Sequence, residues 1–554
     1  MIRRIMRSFL VSSCVFLFFQ IYPLHVVFSE VEKPSDTRFP SITVKNGVLF
    51  AGDEELFLNA IGYSGIRPGK DQFDPVSDDK FGYAFIEEDM RRIKEAGFNA
   101  IRTYALLDEK ILELAEKYGL WVVAGIWTEQ GTLPHNEAHV QRAIDTIIRD
   151  AKIYAKHPNI ALLFLSNEPR PDCLYNPVTT KYMRRVVKAA HENCPGVPVS
   201  FANMPNAAFV SPEPWDVISF NIYACGFEKF TSSIGYRGLV EGIKKISSGD
   251  KPFFISEYGF YAPVPKPNMK EPWIFYRVKD EAEQSKKLLH DKELLSQAGL
   301  AGMTMMMWHD DWRNFNDVPS AQAYLQDPPK TKFIHDMFTQ EWGGIIAFDE
   351  DPVGKPRKAY FDLLKENQAV LLSPDSEMIY KKGVPVKMYI SQKVETCDLY
   401  VDGVMAGKIA RISPHWMEYK LPPFPDSSFK KHELVLDIFD GARNKITSIK
   451  RNFWTGTVDI VPQVRVSKIN NAASSVQFVV ELLSSKDNPM PGKKIQWGIF
   501  DVFDWVCYGG EVKTDNEGKG YFSAPKLGVF LVGAGYDFKY KDFNKRCTDL
   551  IVSK

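Results

Sequence analysis

Between Phe57 and Trp308 the chain alternates short apolar runs with amphipathic segments, and this alternation restricts the possible folds more than any other feature. The runs are FLNAIGYSG from Phe57, Asn99 to Tyr104, LWVVAGIW ending at Trp127, NIALLFLSNEPR from Asn159, VPVSFAN, DVISFNIY ending at Tyr223, KPFFISEYGF from Lys251, and GLAGMTMMMWHD ending near Trp308. Compact, largely unbroken apolar stretches flanked by Pro, Gly or polar residues are the pattern of strands buried on both faces. The intervening segments carry helical spacing. Ile86, Met90, Ile93 and Ala96 share one face and Gly97 stands at the C-cap position; Ile111, Leu114, Ala115 and Tyr118 share another, with Gly119 as the stop. Further helices are expected near Glu137 to Ala155, Thr180 to His191, Leu239 to Ser247 and Lys279 to Ala298. Eight parallel strands alternating with helices make a (β/α)8 TIM barrel, in which chemistry takes place at the C-terminal strand ends. The barrel is expected over residues 43–372, with an insertion from about Asp311 to Ile345 and GKPRKAYFDLLKENQ as its closing helix.

Two of the strands end in a carboxylate. Glu168 follows the run from Ile160 to Leu165, beside Asn167 and before Pro169, and Glu257 ends the run from Phe253. An acid at the edge of a dry strand is costly unless it is used or solvated. The two lie 89 residues apart, which is close to three strand–helix units of about 30 residues each. Strands three units apart in a closed parallel barrel end at the same rim, so the two acids can face one substrate bond.

Composition narrows the function classes. Lys plus Arg equals Asp plus Glu at 69 each, so no bulk field favours nucleic acid or an anionic membrane. The aromatic share of 13% is high, and Trp and Tyr are what sugar-binding clefts stack against pyranose rings as well as what large cores use. Arg3, Arg4 and Arg7 followed by an apolar segment from Phe9 to about Tyr22 read as a secretory signal peptide, residues 1–29, cleaved after Ser29, with a signal anchor as the alternative. A polar linker over 30–42 follows, and no later run has the roughly 18 apolar residues a bilayer crossing needs. The mature chain is therefore expected to be secreted or periplasmic, off the membrane after cleavage. Cys173, Cys194, Cys225, Cys397, Cys507 and Cys547 are too sparse for a disulfide framework; the best candidate pair is Cys507 with Cys547. No Cys or His spacing fits a zinc site, and no motif implies a cofactor.

Beyond about residue 372 the pattern changes to short alternating strands with turn signals at Asp402-Gly403, Asp440-Gly441 and Gly518. These read as two all-β, immunoglobulin-like sandwich modules, 373–456 and 457–554, with one larger β domain as the alternative. Their aromatics Trp416, Trp454 and Trp505 sit singly, as sandwich-core residues do, so the modules read as spacers more than as sugar binders.

SNEP at the end of strand four and SEYG at the end of strand seven resemble the acid/base and nucleophile motifs of the clan A, or 4/7 superfamily, retaining glycoside hydrolases. The resemblance covers roughly residues 43–370 and extends to families 2 and 5. The stretches FIEEDMRRIKEAGFNAIRTY, DVISFNIYACGF and ISEYGF are also similar to β-1,3-glucanosyltransferases. The resemblance implies Glu168 as acid/base and Glu257 as nucleophile, with Asn167 on the sugar 2-hydroxyl. It further implies Tyr223 hydrogen-bonded to Glu257, Arg102 supplying positive charge to the same carboxylate, and Trp308 as a platform under the sugar. Tyr104 and Trp127 join the list as cleft residues. Rim packing is the alternative for Arg102 and Tyr104, a barrel tyrosine for Tyr223, and packing for Trp127, Trp312 and Trp342. Glu129 reads as a solvated loop acid, and His309, Asp310 and Asp311 as rival ligands. No histidine lies between Leu120 and Leu133, where several related families carry one. The activity implied is that of a retaining β-glycosidase hydrolysing a β-linked glucan or mannan-like polysaccharide. The alternatives are a transglycosylase remodelling exported polysaccharide and a non-catalytic carbohydrate-binding protein.

Overall fold

The computed structural model describes residues 39–65, 82–224, 228–260, 278–310, 343–347, 353–424, 428–457, 459–471 and 474–554. The expected signal segment, Trp312, Trp342, Asp311 and most of the insertion lie outside these.

Eight parallel strands close into a barrel. They are β1 (Leu58–Gly62), β2 (Ala100–Arg102), β3 (Trp121–Gly125), β4 (Ile160–Asn167), β5 (Val199–Asn203), β6 (Ile218–Asn221), β7 (Phe253–Gly259) and β8 (Gly302–Met306). The helices between and after them are α1 (Gly82–Glu95), α2 (Glu109–Lys117), α3 (Glu137–Tyr154), α4 (Thr179–Asn193), α5 (Glu228–Ser247), α6 (Glu281–Ser296) and α7 (Lys358–Glu366). A strand is two-faced, so its residues sort into two cores. Leu58, Ala60, Ala100, Trp121, Val123, Leu162, Phe164 and Phe254 fill the barrel. Their neighbours Ile61, Ile101, Val122, Leu163, Leu165 and Ile255 pack outward under the helices.

Residues 42–55, which carry no clear strand signal, form a small antiparallel sheet of Ile42–Lys45, Val48–Ala51 and Glu54–Glu55. Ile42 and Leu49 of this sheet and Phe39, edge-on to Trp121 at 4.8 Å, join the interior core and close the barrel floor. Helix α5 is about twice the length expected, because Gly235, Gly238 and Gly242 dilute its helical signal and Gly235 kinks it at φ 76°.

Beyond the barrel lie two pairs of sheets, each with its own core. Three strands between Ala369 and Lys420 face five between Ile379 and Thr455; three between Gln463 and Ala524 face four between Lys494 and Ser553. Cys507 and Cys547 are free thiols, which corrects the expected pairing. They sit on the two outer strands of one four-stranded sheet with two strands between them. At about 4.8 Å per strand that separation is roughly 14 Å, well beyond disulfide reach. Among the described residues no helix is long and apolar enough to cross a membrane.

Candidate active site

Strict alternation along β4 and β7 would turn Asn167 and Glu257 outward, away from the barrel axis. Each strand breaks register just before its end: β4 between Phe164 and Asn167 against β5, and β7 between Ile255 and Glu257 against β6. An irregularity of this kind re-aims a side chain, and here it brings both residues onto Arg102.

Arg102, 1% exposed at the end of β2, is the hub. Its Nη1 donates to Glu257 Oε1 at 2.6 Å and to the Ser256 carbonyl at 2.7 Å, and its Nη2 donates to Asn167 Oδ1 at 2.6 Å. Tyr223, after β6, donates its hydroxyl to the other oxygen, Glu257 Oε2, at 2.6 Å. Glu257 is buried, at 5% exposure, with a donor on each oxygen. The guanidinium also stacks over the Tyr104 ring at 4.4 Å. Burial opposes its charge, but Tyr104, Glu257 and Tyr223 together raise its pKa above the ordinary arginine value.

Glu168 is held differently. Its backbone N–H donates to Ala202 of β5 at 2.8 Å, and its backbone takes a left-handed φ of 48°. A non-glycine residue in that region is strained, and such strain gathers at functional positions. The turn aims the carboxyl at Asn221, whose Nδ2 donates to Glu168 Oε1 at 2.8 Å and to Asn167 Oδ1 at 3.3 Å. The Asn221 amide is oriented by Ser256, which donates from Oγ to Asn221 Oδ1 at 2.6 Å. Burial, and then the negative charge of Glu257, push the Glu168 carboxyl up to about 7, against the opposing pull of the Asn221 bond and Arg102. One acid thus has its proton affinity raised, while the other accepts from an arginine and a tyrosine.

The structure gathers Arg102, Tyr104, Asn167, Glu168, Tyr223 and Glu257 at the C-terminal rim. Trp127 ends up 42% exposed after β3. Trp308 is a correction: it is fully buried, its indole N–H donates to Asp89 of α1 at 2.9 Å, and Tyr360 of α7 packs edge-on against it. Alternation fails just past β8, where the consecutive residues Met306 and Met307 both join Tyr223 and Tyr104 in one cluster and Trp308 swings out beneath the helices. Met306, whose sulfur accepts the Tyr104 hydroxyl, is what β8 presents to the site. Asp310 is structural: Arg357 grips it with two bonds of 2.6 and 2.9 Å at zero exposure. His309 is buried beside it, and Glu129 is a loop acid 3.7 Å from Arg142. Sequence reasoning missed Asn221 and Met306. Asn221 stands two residues before Tyr223 in FNIY, on the same face of the chain, and that spacing was the available signal.

Residues 69–291, containing both acids and the Arg102 hub, match the family model described as the TIM barrel domain of glycosyl hydrolases family 2. Over this stretch the barrel resembles those of glycoside hydrolases. A 1,3-β-glucanosyltransferase, gel1, of Aspergillus fumigatus is 25% identical over 250 residues. The match takes in 39% of this chain and 51% of that protein, so the chain spans about half the length of the curated relative it matches. Among solved structures, β-glucuronidase 3 of Bacteroides uniformis aligns at 16% identity and a TM-score of 0.43, over 92% of this chain and 65% of that one. A β-glucuronidase of Parabacteroides merdae aligns at 15% and 0.43, over 93% and 64%. In this barrel, Arg102 and Asn221 tie the ends of β2, β4, β6 and β7 into one hydrogen-bonded network that holds both carboxyl groups.

Proposed function

We propose that the chain is an exported retaining β-glycosidase acting on a β-linked glucan or mannan-like polysaccharide by double displacement. The observation that carries the reading is the unequal treatment of two acids in one network. Glu168, raised to about 7, is the group able to hold a proton near neutrality. Glu257, with Arg102 on one oxygen and Tyr223 on the other, is the group arranged as an anion and nucleophile.

In the first step Glu168 gives its proton to the glycosidic oxygen while a Glu257 oxygen attacks the anomeric carbon, forming a glycosyl ester as the leaving sugar departs. In the second, Glu168, now a carboxylate, takes a proton from water, whose oxygen attacks the same carbon and frees Glu257. Asn167 accepts from Arg102 and Asn221 through its oxygen alone, so its amide hydrogens can serve the 2-hydroxyl. Tyr223, Met306 and Tyr104 supply the apolar wall beside the sugar.

The similarity to a 1,3-β-glucanosyltransferase favours a second reading, in which a sugar hydroxyl replaces water in the second step. Product lengths from β-glucan and β-mannan oligosaccharides separate the two, since only transfer yields products longer than the substrate. The role assignments are tested by substitution. Glu257→Ala should lose at least a thousandfold in turnover and regain part of it with azide, releasing a glycosyl azide of inverted configuration. Glu168→Ala should harm substrates with poor leaving groups far more than activated aryl glycosides. Absence of azide rescue, or equal losses on both substrate types, would overturn the assignment.

A further inference from the structure

A single exposed aromatic on a β module needs no explanation, but a contiguous exposed cluster set on rigid backbone marks a surface for binding. The loop Asp501–Val506 of the last β module presents Phe503, Trp505 and Val506 at 37%, 47% and 40% exposure. The sequence pattern placed Trp505 in a sandwich core; the structure puts it on the surface.

The loop is built to hold that presentation. Asp501, 1% exposed, accepts from the backbone N–H groups of Phe503 and Asp504 at 3.0 and 3.1 Å. Its own carbonyl accepts from the Trp505 N–H at 3.1 Å, and its N–H donates to the Val506 carbonyl at 2.9 Å. Lys526 pairs with its carboxylate at 2.9 Å. Trp505 is thereby kept at φ 57°, a costly conformation for a bulky residue, with its ring edge-on to the buried Phe500 at 6.1 Å.

This surface is continuous with the catalytic rim. Phe503 packs edge-on against Tyr175 at 5.3 Å, and Tyr175 against Phe209 at 5.7 Å. Tyr175 is 49% exposed and ends the single helical turn Pro171–Leu174 that begins three residues after Glu168, while Phe209 lies in the segment after β5. A row of rings therefore runs from the mouth of the barrel onto the second β module. Its surroundings are polar, with Arg170, Asp172, Asp504 and Lys526 all solvent-exposed.

We propose that Tyr175, Phe503 and Trp505 form a remote platform for a β-linked polysaccharide chain leaving the cleft, with sugar faces stacked on the rings and hydroxyls met by the polar rim. The proposal rests on the glycosidase reading and sharpens it. A site that runs from the barrel mouth onto a second module takes a polymer, not a disaccharide.

The test is affinity electrophoresis of the full chain carrying Glu257→Ala, through native gels containing soluble β-1,3-glucan, mixed-linkage β-glucan or β-mannan. The Glu257→Ala chain should be retarded in at least one gel. Adding Trp505→Ala, and separately Tyr175→Ala, should weaken that retardation at least tenfold, while thermal midpoints stay within about 2 °C. Equal retardation of all three chains, or none in any gel, would overturn the platform. So would a change of Trp505→Ala from dimer to monomer in sedimentation with retardation unaltered, which would make the patch a contact between copies. Unimpaired turnover by the Glu257→Ala chain would sink the glycosidase reading alone, because retardation is measured without turnover.

Discussion

As the proposed general acid, Glu168 would hold a proton before turnover and part with it during the reaction, and its surroundings set the pH at which it can do both. Because the protonated form is the competent one, kcat/KM should fall as pH rises through about 7. The Asn221 bond favours the ionised form, so Asn221→Ala should move that alkaline limb to higher pH, as should Ser256→Ala by releasing the Asn221 amide. A limb that stays in place in both variants would show that Asn221 does not tune the acid. The same shift has a stability consequence of definite sign. A carboxyl raised from 4.5 to about 7 on folding costs nothing below pH 4.5, where it is protonated in both states, and its full cost appears above pH 7. Glu168→Gln should therefore be more stable than the parent at pH 8, by up to about 3 kcal/mol, and match it at pH 4.5. Urea midpoints at the two pH values check this. These acids were legible in the sequence because a carboxylate closing an apolar strand has few structural uses. Asn221 was legible only through its two-residue spacing from Tyr223, because an asparagine inside a strand run otherwise looks like any other polar interior residue. Trp308 misled because the resemblance put a platform tryptophan at the end of strand eight, whereas alternation ends after Met306 here and the ring turns beneath the helices.

At the scale of the element, the barrel strands were legible because proline, glycine and polar residues cut the chain at nearly every strand boundary, and the register breaks in β4 and β7 were not. Those breaks depend on how neighbouring strands pair, which no single segment encodes. Helix α5 was half hidden for another reason: beside the kink at Gly235, its other two glycines, Gly238 and Gly242, serve contact and not conformation. A Cβ on Gly238 would lie 2.9 Å from Thr548 Cγ2, and one on Gly242 would lie 2.7 Å from Leu550 Cβ. The helix lies directly on the last strand, Phe543–Ser553, and Arg546 of that strand donates to the Ser232 carbonyl of α5 at 2.6 Å. Gly242→Ala should thus destabilise the chain by about 1–3 kcal/mol through overpacking, despite the roughly 1 kcal/mol that alanine gains in a helix. Gly441→Ala is the control, since a Cβ there meets nothing within 4 Å. A Gly242→Ala midpoint at or above that of the control would mean the helix and strand can separate freely.

At the scale of the molecule, the sequence reading of a barrel followed by two spacers implies beads on a string, and the packing shows otherwise. The described residues from Phe39 to Lys554 form one compact unit. The cluster under the barrel helices includes Val370, Tyr389 and Trp416 from the first β module and Phe500, Leu531 and Leu550 from the second. Polar contacts follow the same seams: Trp416 donates its indole N–H to the Glu55 carbonyl at 2.7 Å, and Arg237 of α5 donates from Nη1 to Asp375 Oδ1 at 2.9 Å. Removal of residues 457–554 would uncover Phe230 and Ile234 of α5, both now at 1% exposure or less, on a face with no polar replacement. Burying two such side chains is worth roughly 3–6 kcal/mol, a large share of a typical stability margin of 5–15 kcal/mol. The truncated chain should therefore be insoluble or aggregate on concentration, and the full chain should unfold in one calorimetric transition. A soluble, active truncation, or a separate early transition assignable to residues 457–554, would show instead that the module is an independent attachment. The rings of Phe503 and Trp505 would then have no fixed position beside Tyr175.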